Sequence, residues 1–322
     1  MFENATTRRP RTTLLALIML VILVWAIAVA WWVSRGPAQA TDAGGQMVQS
    51  LRDKGLKSVW GDKPAETLYV IKLDGKVVAG AVYRREPLPG GGFLGMEMQI
   101  SADRAAYEVW ALSSDAGAGV YAAGRTDAGI LKQDTGIVLK NGLVEARQTI
   151  RQGQQSATVD SSSPVPPNYL PEGTLRAGLH MVAQQRTDAT FKLILNETPP
   201  QRVGDEIVTR FWTIKATHDG EQTVKIQGKD VKVSVVTQEM MESESVLWLT
   251  AQGEVVYKKE GQTETFAASQ QELSKAFPAA RTLAGQVWRT KAVPAARELL
   301  TQDQPPATLT RPTTTTAPTP GR

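Results

Sequence analysis

Residues 67–85 read TLYVIKLDGKVVAGAVYRR, and this stretch decides the fold class. Apolar, β-branched and aromatic residues dominate both sides of the Asp74-Gly75 pair. An Asp-Gly pair between two such runs is a strong hairpin signal, because both positions of the tight turn need a positive φ. The stretch therefore predicts two antiparallel strands joined by a two-residue turn.

The same pattern recurs along the chain. Asn141-Gly142 separates two strand-like runs and predicts a second hairpin, and Asp219-Gly220 is predicted as a further turn. The resulting sheet segments cover residues 67–160 and 189–268, and their alternating polarity predicts sheets with one buried and one wetter face. The individual runs are residues 67–73, 76–85, 92–100, 107–113, 136–140, 143–151, 155–160, 189–195, 206–217, 222–227, 231–238, 245–251, 254–259 and 262–267.

Helical signals interrupt and follow these strands. Residues 161–171 contain four prolines, which exclude a central strand. Residues 174–185 then place Leu175, Leu179 and Val182 on one helical face. Other helices are expected at residues 49–60, 269–283 and 286–300, the last interrupted at Pro294.

The N-terminal region carries a membrane signal. Residues 14–33 form an apolar run of 20 residues without charge or proline, which at ~1.5 Å per residue matches a hydrocarbon core of ~30 Å. Arg8, Arg9 and Arg11 precede it, so the positive-inside rule places the N-terminus in the cytoplasm and the body outside.

A cleaved signal peptide is the alternative, because Ala38-Gln39-Ala40 has the shape of a cleavage site. Whether the segment is cleaved after Ala40 stays open, and both interpretations export the body. Of the net charge of +4, +3 belongs to residues 1–40. The nearly neutral remainder gives no support for a nucleic-acid partner, and the absence of cysteine is compatible with an oxidising envelope.

These observations predict a mainly β (α+β) fold, in which an N-terminal transmembrane helix precedes curved antiparallel sheet with a few helices. The C-terminal tail is rich in Thr and Pro and is expected to be disordered. The predicted organisation is a cytoplasmic N-terminus at 1–13, an anchor at 14–33, a linker and short helix at 34–66, the exported β domain at 67–268, helices at 269–300 and the tail at 301–322.

The chain has few residues of the types that commonly act in catalysis or bind metal ions. The chain has no cysteine and two histidines. His180 is expected to be a partly exposed helix residue, and His218 a solvated turn residue. Because no G-x-S-x-G motif or phosphate-binding loop is present, we expect no catalytic residue, no metal site, no cofactor and no enzymatic activity. Glu239, Glu242 and Glu244 are expected to be solvent-exposed acidic residues of a loop.

The aromatic residues suggest a binding site. Trp110, Trp212 and Trp248 lie in the middle of predicted strands. If they share one concave face with Phe191, Leu193 and Leu247, the six side chains would line an apolar groove for an acyl chain or an apolar peptide. The alternative is that they fill an ordinary core, where aromatic residues are common.

Two segments carry a resemblance to a known group of proteins. Residues 69–80 (YVIKLDGKVVAG) and 247–257 (LWLTAQGEVVY) resemble the curved half-barrels of bacterial periplasmic β-proteins similar to the lipoprotein-localisation carriers. That resemblance implies a concave face that holds lipid and a helix that plugs the opening, here residues 174–185. It implies no catalytic residues.

The sequence thus leads to a functional hypothesis. We expect a single-pass protein of the bacterial cell membrane, held by residues 14–33, with a periplasmic or extracytoplasmic domain that binds lipid, lipoprotein or peptide. One alternative is a non-catalytic structural subunit that docks to another envelope protein. Another is a hydrolase of envelope polymers that acts through carboxylates.

Overall fold

The computed structural model describes residues 37–127, 131–194, 201–203 and 206–302. The predicted anchor at 14–33 and the tail from residue 303 lie outside the described residues. Within these ranges, no helix has both the length and the apolar character that a membrane crossing requires.

The described residues form one large antiparallel sheet and one small hairpin. The large sheet has 14 strands in the order β8-β7-β6-β5-β4-β3-β2-β1-β16-β15-β14-β13-β12-β9, and β10 pairs with β11. The strands are β1 Ala65–Leu73, β2 Lys76–Pro87, β3 Phe93–Ser101, β4 Arg104–Leu112, β5 Gly119–Asp127, β6 Leu131–Lys140, β7 Leu143–Gln152, β8 Gln155–Pro164, β9 Ala189–Leu193, β10 Gln201–Val203, β11 Glu206–Val208, β12 Trp212–Ile226, β13 Lys229–Met240, β14 Ser243–Leu249, β15 Val255–Glu260 and β16 Thr263–Ala268.

The hairpin predictions are confirmed at the two strongest signals. Asp74 and Gly75 have φ values of 50° and 76°, and Asn141 and Gly142 have 52° and 72°. The two predicted sheet segments, at 67–160 and 189–268, also exist, but they merge into one sheet because β1 pairs with β2 on one side and with β16 on the other. The first strand of the sheet along the chain is therefore one of its central strands.

The predicted turn at Asp219-Gly220 is wrong. Strand β12 continues through this pair, with a register shift between His218 and Gly220 opposite β13. Gly220 has a φ of 116°, but Asp219 is not among the residues with positive φ. Because a two-residue hairpin needs positive φ at both positions, the pair forms a bulge, and the chain reverses at Gln227-Gly228 instead.

The large sheet curls until distant strands face each other. Thr135 of β6 and Met240 of β13 line one cavity, although their strands are nine steps apart in the sheet order, which is about 43 Å in a flat sheet at ~4.8 Å per step. The two edge strands, β8 and β9, form hydrogen bonds with neighbouring chain segments that are not strands of the sheet. The Thr209 N–H donates to Ser163 Oγ at 3.0 Å beside β8, and the Leu170 N–H donates to Lys192 O of β9 at 2.8 Å.

Three helices pack on the concave side of the sheet: α1 Pro37–Lys54, α2 Lys57–Trp60 and α3 Leu175–Gln185. The linker predicted ahead of the helix at 49–60 is wrong from Pro37 onward, because α1 begins there. This helix buries Met47, Val48 and Leu51 in the inner core. A helix with such a buried face is stabilised by packing, which outweighs the weak helix signal of its small and polar N-terminal half.

The C-terminal helices cover part of the convex side. These are α4 Gln270–Ala276, α5 Ala280–Val287 and α6 Val293–Gln302, with a π-helical turn at Trp288–Ala292. They form a second hydrophobic cluster with β2–β5, including Val82, Met96, Val109 and Leu273. Helices do follow residue 269, but the single helix predicted at 269–283 is wrong, because α4 ends at Ala276 and α5 begins at Ala280, after Pro278. The predicted interruption falls at residues 288–292, just before Pro294 instead of at it, and α6 extends into the predicted tail.

Helices α1 and α2 close one end of the curled sheet, which we call the closed end. Here the Leu56 N–H donates to Ser114 O, in the turn between β4 and β5, at 2.7 Å. The Trp60 ring meets the Phe93 ring edge-on with centroids 5.1 Å apart. The other end carries the turns β1–β2, β13–β14 and β15–β16, and we call it the open end.

Candidate functional site

A cavity of about 760 Å³ lies between α3 and the concave face of the sheet. Ligand sites of proteins typically enclose ~300–1,000 Å³, so the space suits a small molecule. The cavity extends to Met241, Glu260 and Thr263, which lie at the turns of the open end. Its wall has two chemically different sides.

One side is apolar. Helix α3 contributes Leu175 and Leu179, because their i, i+4 spacing puts both on the helical face turned to the cavity. Strand β14 contributes Leu247, and the end of β9 contributes Leu193. The same cavity surface includes Leu170, Ile194, Val255, Met240 and Met241.

The facing side, on β3–β6, is polar and charged. Glu97 on β3 and Glu108 on β4 are direct cross-strand partners and both line the cavity. Directly opposed residues on neighbouring strands lie with Cβ atoms ~4.5–5.5 Å apart, and two like charges there are destabilising unless other groups compensate them. Arg104 and Arg125 belong to the same surface. The remaining polar members of this wall are Gln99, Gln133 and Thr135.

Arg176 joins the two sides. Its Nη2 donates to Glu97 Oε2 at 2.6 Å and its Nη1 donates to Tyr69 Oη at 2.8 Å. The guanidinium also lies over the Tyr83 ring, 3.9 Å from the centroid. Burial alone would lower the pKa of Arg176, but Tyr69, Glu97 and Tyr83 raise it above its usual value. Helix α3 therefore carries a permanent cation that holds one of the two opposed carboxylates.

Glu172, just before α3, is a second carboxyl group of the cavity wall. The Tyr169 hydroxyl donates to its Oε2 at 2.6 Å. Burial raises the pKa of Glu172 to about 7, although the Tyr169 hydroxyl and backbone N–H groups lower it in part. Burial and the Glu172 carboxylate raise the pKa of Tyr169, so the phenol keeps its proton. Glu172 thus gains or loses a proton near neutral pH.

The structure brings only some of the sequence-predicted site residues to the cavity. Leu193 and Leu247 line it. Phe191 is fully buried against α3, where a Cβ on Gly178 would lie 3.4 Å from its ring. Trp110 is 2% exposed and wedged between Gly95 and Gly173. Phe191 and Trp110 therefore belong to the inner core, as expected from the alternative interpretation that the aromatic residues fill an ordinary core.

The premise that the three tryptophans share one face is wrong. Trp248 alternates with the inward-facing Leu247 and Leu249, so it lies on the convex side, where its ring is 4.2 Å from that of Tyr257. Trp212 stands opposite Leu193 near the sheet edge, and the Arg210 guanidinium lies 3.8 Å from its ring centroid. Neighbouring side chains of a strand point to opposite faces of the sheet. The sequence alone did not show which of the two sets faces inward.

The histidines also differ from expectation. His180 is 3% exposed, and its Nε2 is 3.2 Å from Ala251 O at the closed end. His218 is half-buried within β12 instead of in a turn. In the described ranges, no group of three or more His, Asp or Glu side chains is arranged to hold a metal ion. Glu239, Glu242 and Glu244 are exposed.

Sequence reasoning missed Glu97, Glu108, Glu172 and Arg176. A signal was present for the first two, because each acid interrupts an otherwise apolar strand, MEM at 96–98 and YEVW at 107–110. An ionised side chain on an inward-facing strand position needs a partner or water. Arg176 gave no comparable signal, since its partners lie far away in the sequence.

Comparison with known proteins finds a likeness among solved structures. No protein-family description and no curated protein matches the sequence. Among solved structures, the chain is similar to a β-barrel-like protein of domain of unknown function DUF1849 from Brucella abortus. The two share 10% sequence identity at a TM-score of 0.45, over 64% of this chain and 96% of that chain.

Proposed function

We propose that this chain is a non-catalytic binding module whose interior cavity holds one amphipathic small molecule, with a lipid as the best-fitting class. The observation that carries the proposal is the two-sided wall. Leucine and methionine side chains line the same space of about 760 Å³ as Glu97, Glu108, Arg125 and Gln133.

This wall selects for a mixed ligand on physical grounds. A wholly apolar ligand would strip water from the charged side without replacing its hydrogen bonds, which is costly. A wholly polar ligand would gain nothing from Leu175, Leu179 and Leu247. A molecule with an apolar chain and a polar group satisfies both sides, since each buried CH₂ contributes ~0.8 kcal/mol.

The wider setting is part of the same proposal. The apolar run at 14–33 would anchor the chain in a bacterial cell membrane, with the N-terminus in the cytoplasm and the β domain in the periplasm. A lipid-holding concave face would also fit the resemblance to lipoprotein-localisation carriers. The six residues first suggested as a groove are replaced as the proposed binding surface by the cavity wall, which keeps Leu193 and Leu247.

Native mass spectrometry of the full chain, released gently from membranes, tests the proposal. We expect a bound mass that organic extraction removes and that fragments as a lipid. Thr265→Phe should lower the occupied fraction, because Thr265 lines the cavity and a larger side chain there would fill it. Thr223→Phe is the matched control, because Thr223 is an exposed residue of β12.

Two results would contradict the proposal. One is a chain that carries no ligand in any gentle preparation, which would favour the docking-subunit alternative. The other is equal loss of the bound mass in both variants, which would place the ligand elsewhere, for example around the anchor. Turnover of an added envelope polymer that Glu97→Gln abolishes would instead favour the hydrolase alternative.

A further inference from the structure

The open end carries exposed apolar side chains at its turns. Leu73, Val77 and Val78 flank the β1–β2 turn and are 44%, 46% and 40% exposed, and Met241 in the β13–β14 turn is 60% exposed. The two turns belong to one rim. The Asp74 N–H lies 3.4 Å from Gln262 O of the intervening β15–β16 turn.

Single exposed apolar residues are ordinary on protein surfaces. These four residues are notable because of where they lie. Both turns lie at the open end of the sheet, and Met241 belongs to the cavity wall. The nearby charges are of both signs, with Lys76 beside Val77 and Glu242 beside Met241. Any contact made by this rim therefore depends on apolar burial instead of on attraction to one sign of charge.

The direction of α1 brings the N-terminal region to the same end. The helix ends at the closed end, where Leu56 bonds to Ser114. Ten residues earlier than Lys54, Gly44 lies against Thr190 of β9, whose partner Lys215 pairs in turn with Glu239, next to the β13–β14 turn. Pro37 lies a further ~10 Å along the helix at ~1.5 Å per residue. Pro37, the first described residue after the apolar run 14–33, therefore lies near the open end.

We propose that the open end rests on the surface of a lipid bilayer, with the tips of the β1–β2 and β13–β14 hairpins in the interface, so that the cavity mouth faces the membrane. This inference rests on the proposed function, because the membrane contact would serve lipid binding. A mouth in this position lets an amphipathic molecule pass from the bilayer to the cavity without crossing water. Exposed apolar tips and an adjoining anchor are the two features that such a contact needs.

The absence of cysteine from the chain allows a direct test. The full chain is reconstituted in vesicles of phosphatidylethanolamine and phosphatidylglycerol, with single cysteines labelled with bimane at Val78→Cys, Met241→Cys or Leu143→Cys. Leu143 is the matched control, since it is 43% exposed at the start of β7, beside the β6–β7 turn of the closed end. We expect the emission of the first two labels to shift to the blue and to be quenched by nitroxide lipids. The Leu143 label should stay accessible to iodide in water.

The outcomes separate this inference from the proposed function. Iodide quenching of all three labels, equal lipid quenching at both ends, or a chain that does not associate with vesicles would overturn it. Circular dichroism of each labelled variant verifies the fold before measurement. A bound lipid without lipid quenching at Val78 and Met241 would leave the binding function standing and remove the membrane contact. Lipid quenching at the rim of a chain that never carries a ligand would do the reverse.

Discussion

Glu172 should make the stability of the protein depend on pH in an unusual direction. Its pKa of about 7 in the folded chain lies above the ordinary carboxyl value of 4.5. Between these values the native state binds more protons than the unfolded state, so the free energy of unfolding falls as pH rises. The contribution of the protonated group is complete below about pH 4.5 and is lost as pH rises through about 7.

Glu172→Gln tests this directly, because the amide is close in shape to the protonated acid and its oxygen can accept from Tyr169. We expect the variant to match the parent near pH 4 and to be more stable at pH 8, by on the order of 3 kcal/mol. Denaturant unfolding at both pH values measures the difference. The control is Glu298→Gln on the exposed side of α6. A variant that is less stable than the parent at pH 8 would show that the ionised form is the stabilising one.

The site residues show why sequence reasoning found only part of the cavity. Leu193 and Leu247 were identified because apolar residues in alternating strands point to buried faces. The Arg176 contacts to Tyr69 and Glu97 join residues from three distant segments, and no local pattern encodes such a meeting. The inward-facing charges became visible only when the register fixed which face of each strand lines the cavity.

At the scale of elements, two adjacent glycines of α1 should respond in opposite ways to substitution. A Cβ on Gly44 would lie 2.0 Å from the Thr190 carbonyl oxygen, whereas a Cβ on Gly45 meets nothing within 4 Å. Gly45→Ala should stabilise the protein by ~0.5–1 kcal/mol, because alanine loses less backbone entropy in a helix. Gly44→Ala should destabilise it by ~1–3 kcal/mol, since the backbone of β9 cannot move aside as a side chain would.

Thermal unfolding of the two variants beside the parent measures both effects. Equal and small changes in Tm would mean that α1 does not approach β9 as closely as described. In that case Gly44 would be an ordinary helical glycine, and its replacement by alanine would stabilise the helix as at Gly45.

The strands divide into those that local sequence specifies and those that pairing specifies. Asp74-Gly75 and Asn141-Gly142 fix their hairpins through turn chemistry. Strand β5 was missed, since GVYAAGRTD is rich in small residues and has little β propensity. It is a strand because β4 and β6 pair with it along its length. Asp219-Gly220 is the opposite case, where pairing with β13 overrides a local turn signal.

For the whole molecule, we expect the two halves of the sheet to unfold together. Strand β1 pairs with β2 over residues 65–73 and with β16 over residues 68–73, so loss of either half of the sheet leaves one side of β1 unpaired. Fluorophores on Glu145→Cys in β7 and Thr223→Cys in β12 should therefore report the same denaturant midpoint. Well-separated midpoints would contradict this prediction and divide the sheet into two independent units.

Val70→Pro sharpens this test. Val70 pairs with Gly80 on one side and with Phe266 on the other. A proline there removes a ladder hydrogen bond from a central strand, so both midpoints should fall together. Gln155→Pro, at the first residue of the edge strand β8, is the control and should leave the β12 fluorophore nearly unchanged.

The pairing of β1 with β16 also constrains the order in which the chain can acquire its structure during synthesis. β1 is made before the other strands of the sheet and β16 after them. Once β1 has left the ribosome or a translocation pore, about two hundred residues must follow before β16 is complete. At ~5–20 residues per second, β1 therefore keeps one side unpaired for on the order of ten seconds or more. An exposed central strand invites pairing with other chains for that time. The nascent protein should consequently depend on holding chaperones far more than the finished one does.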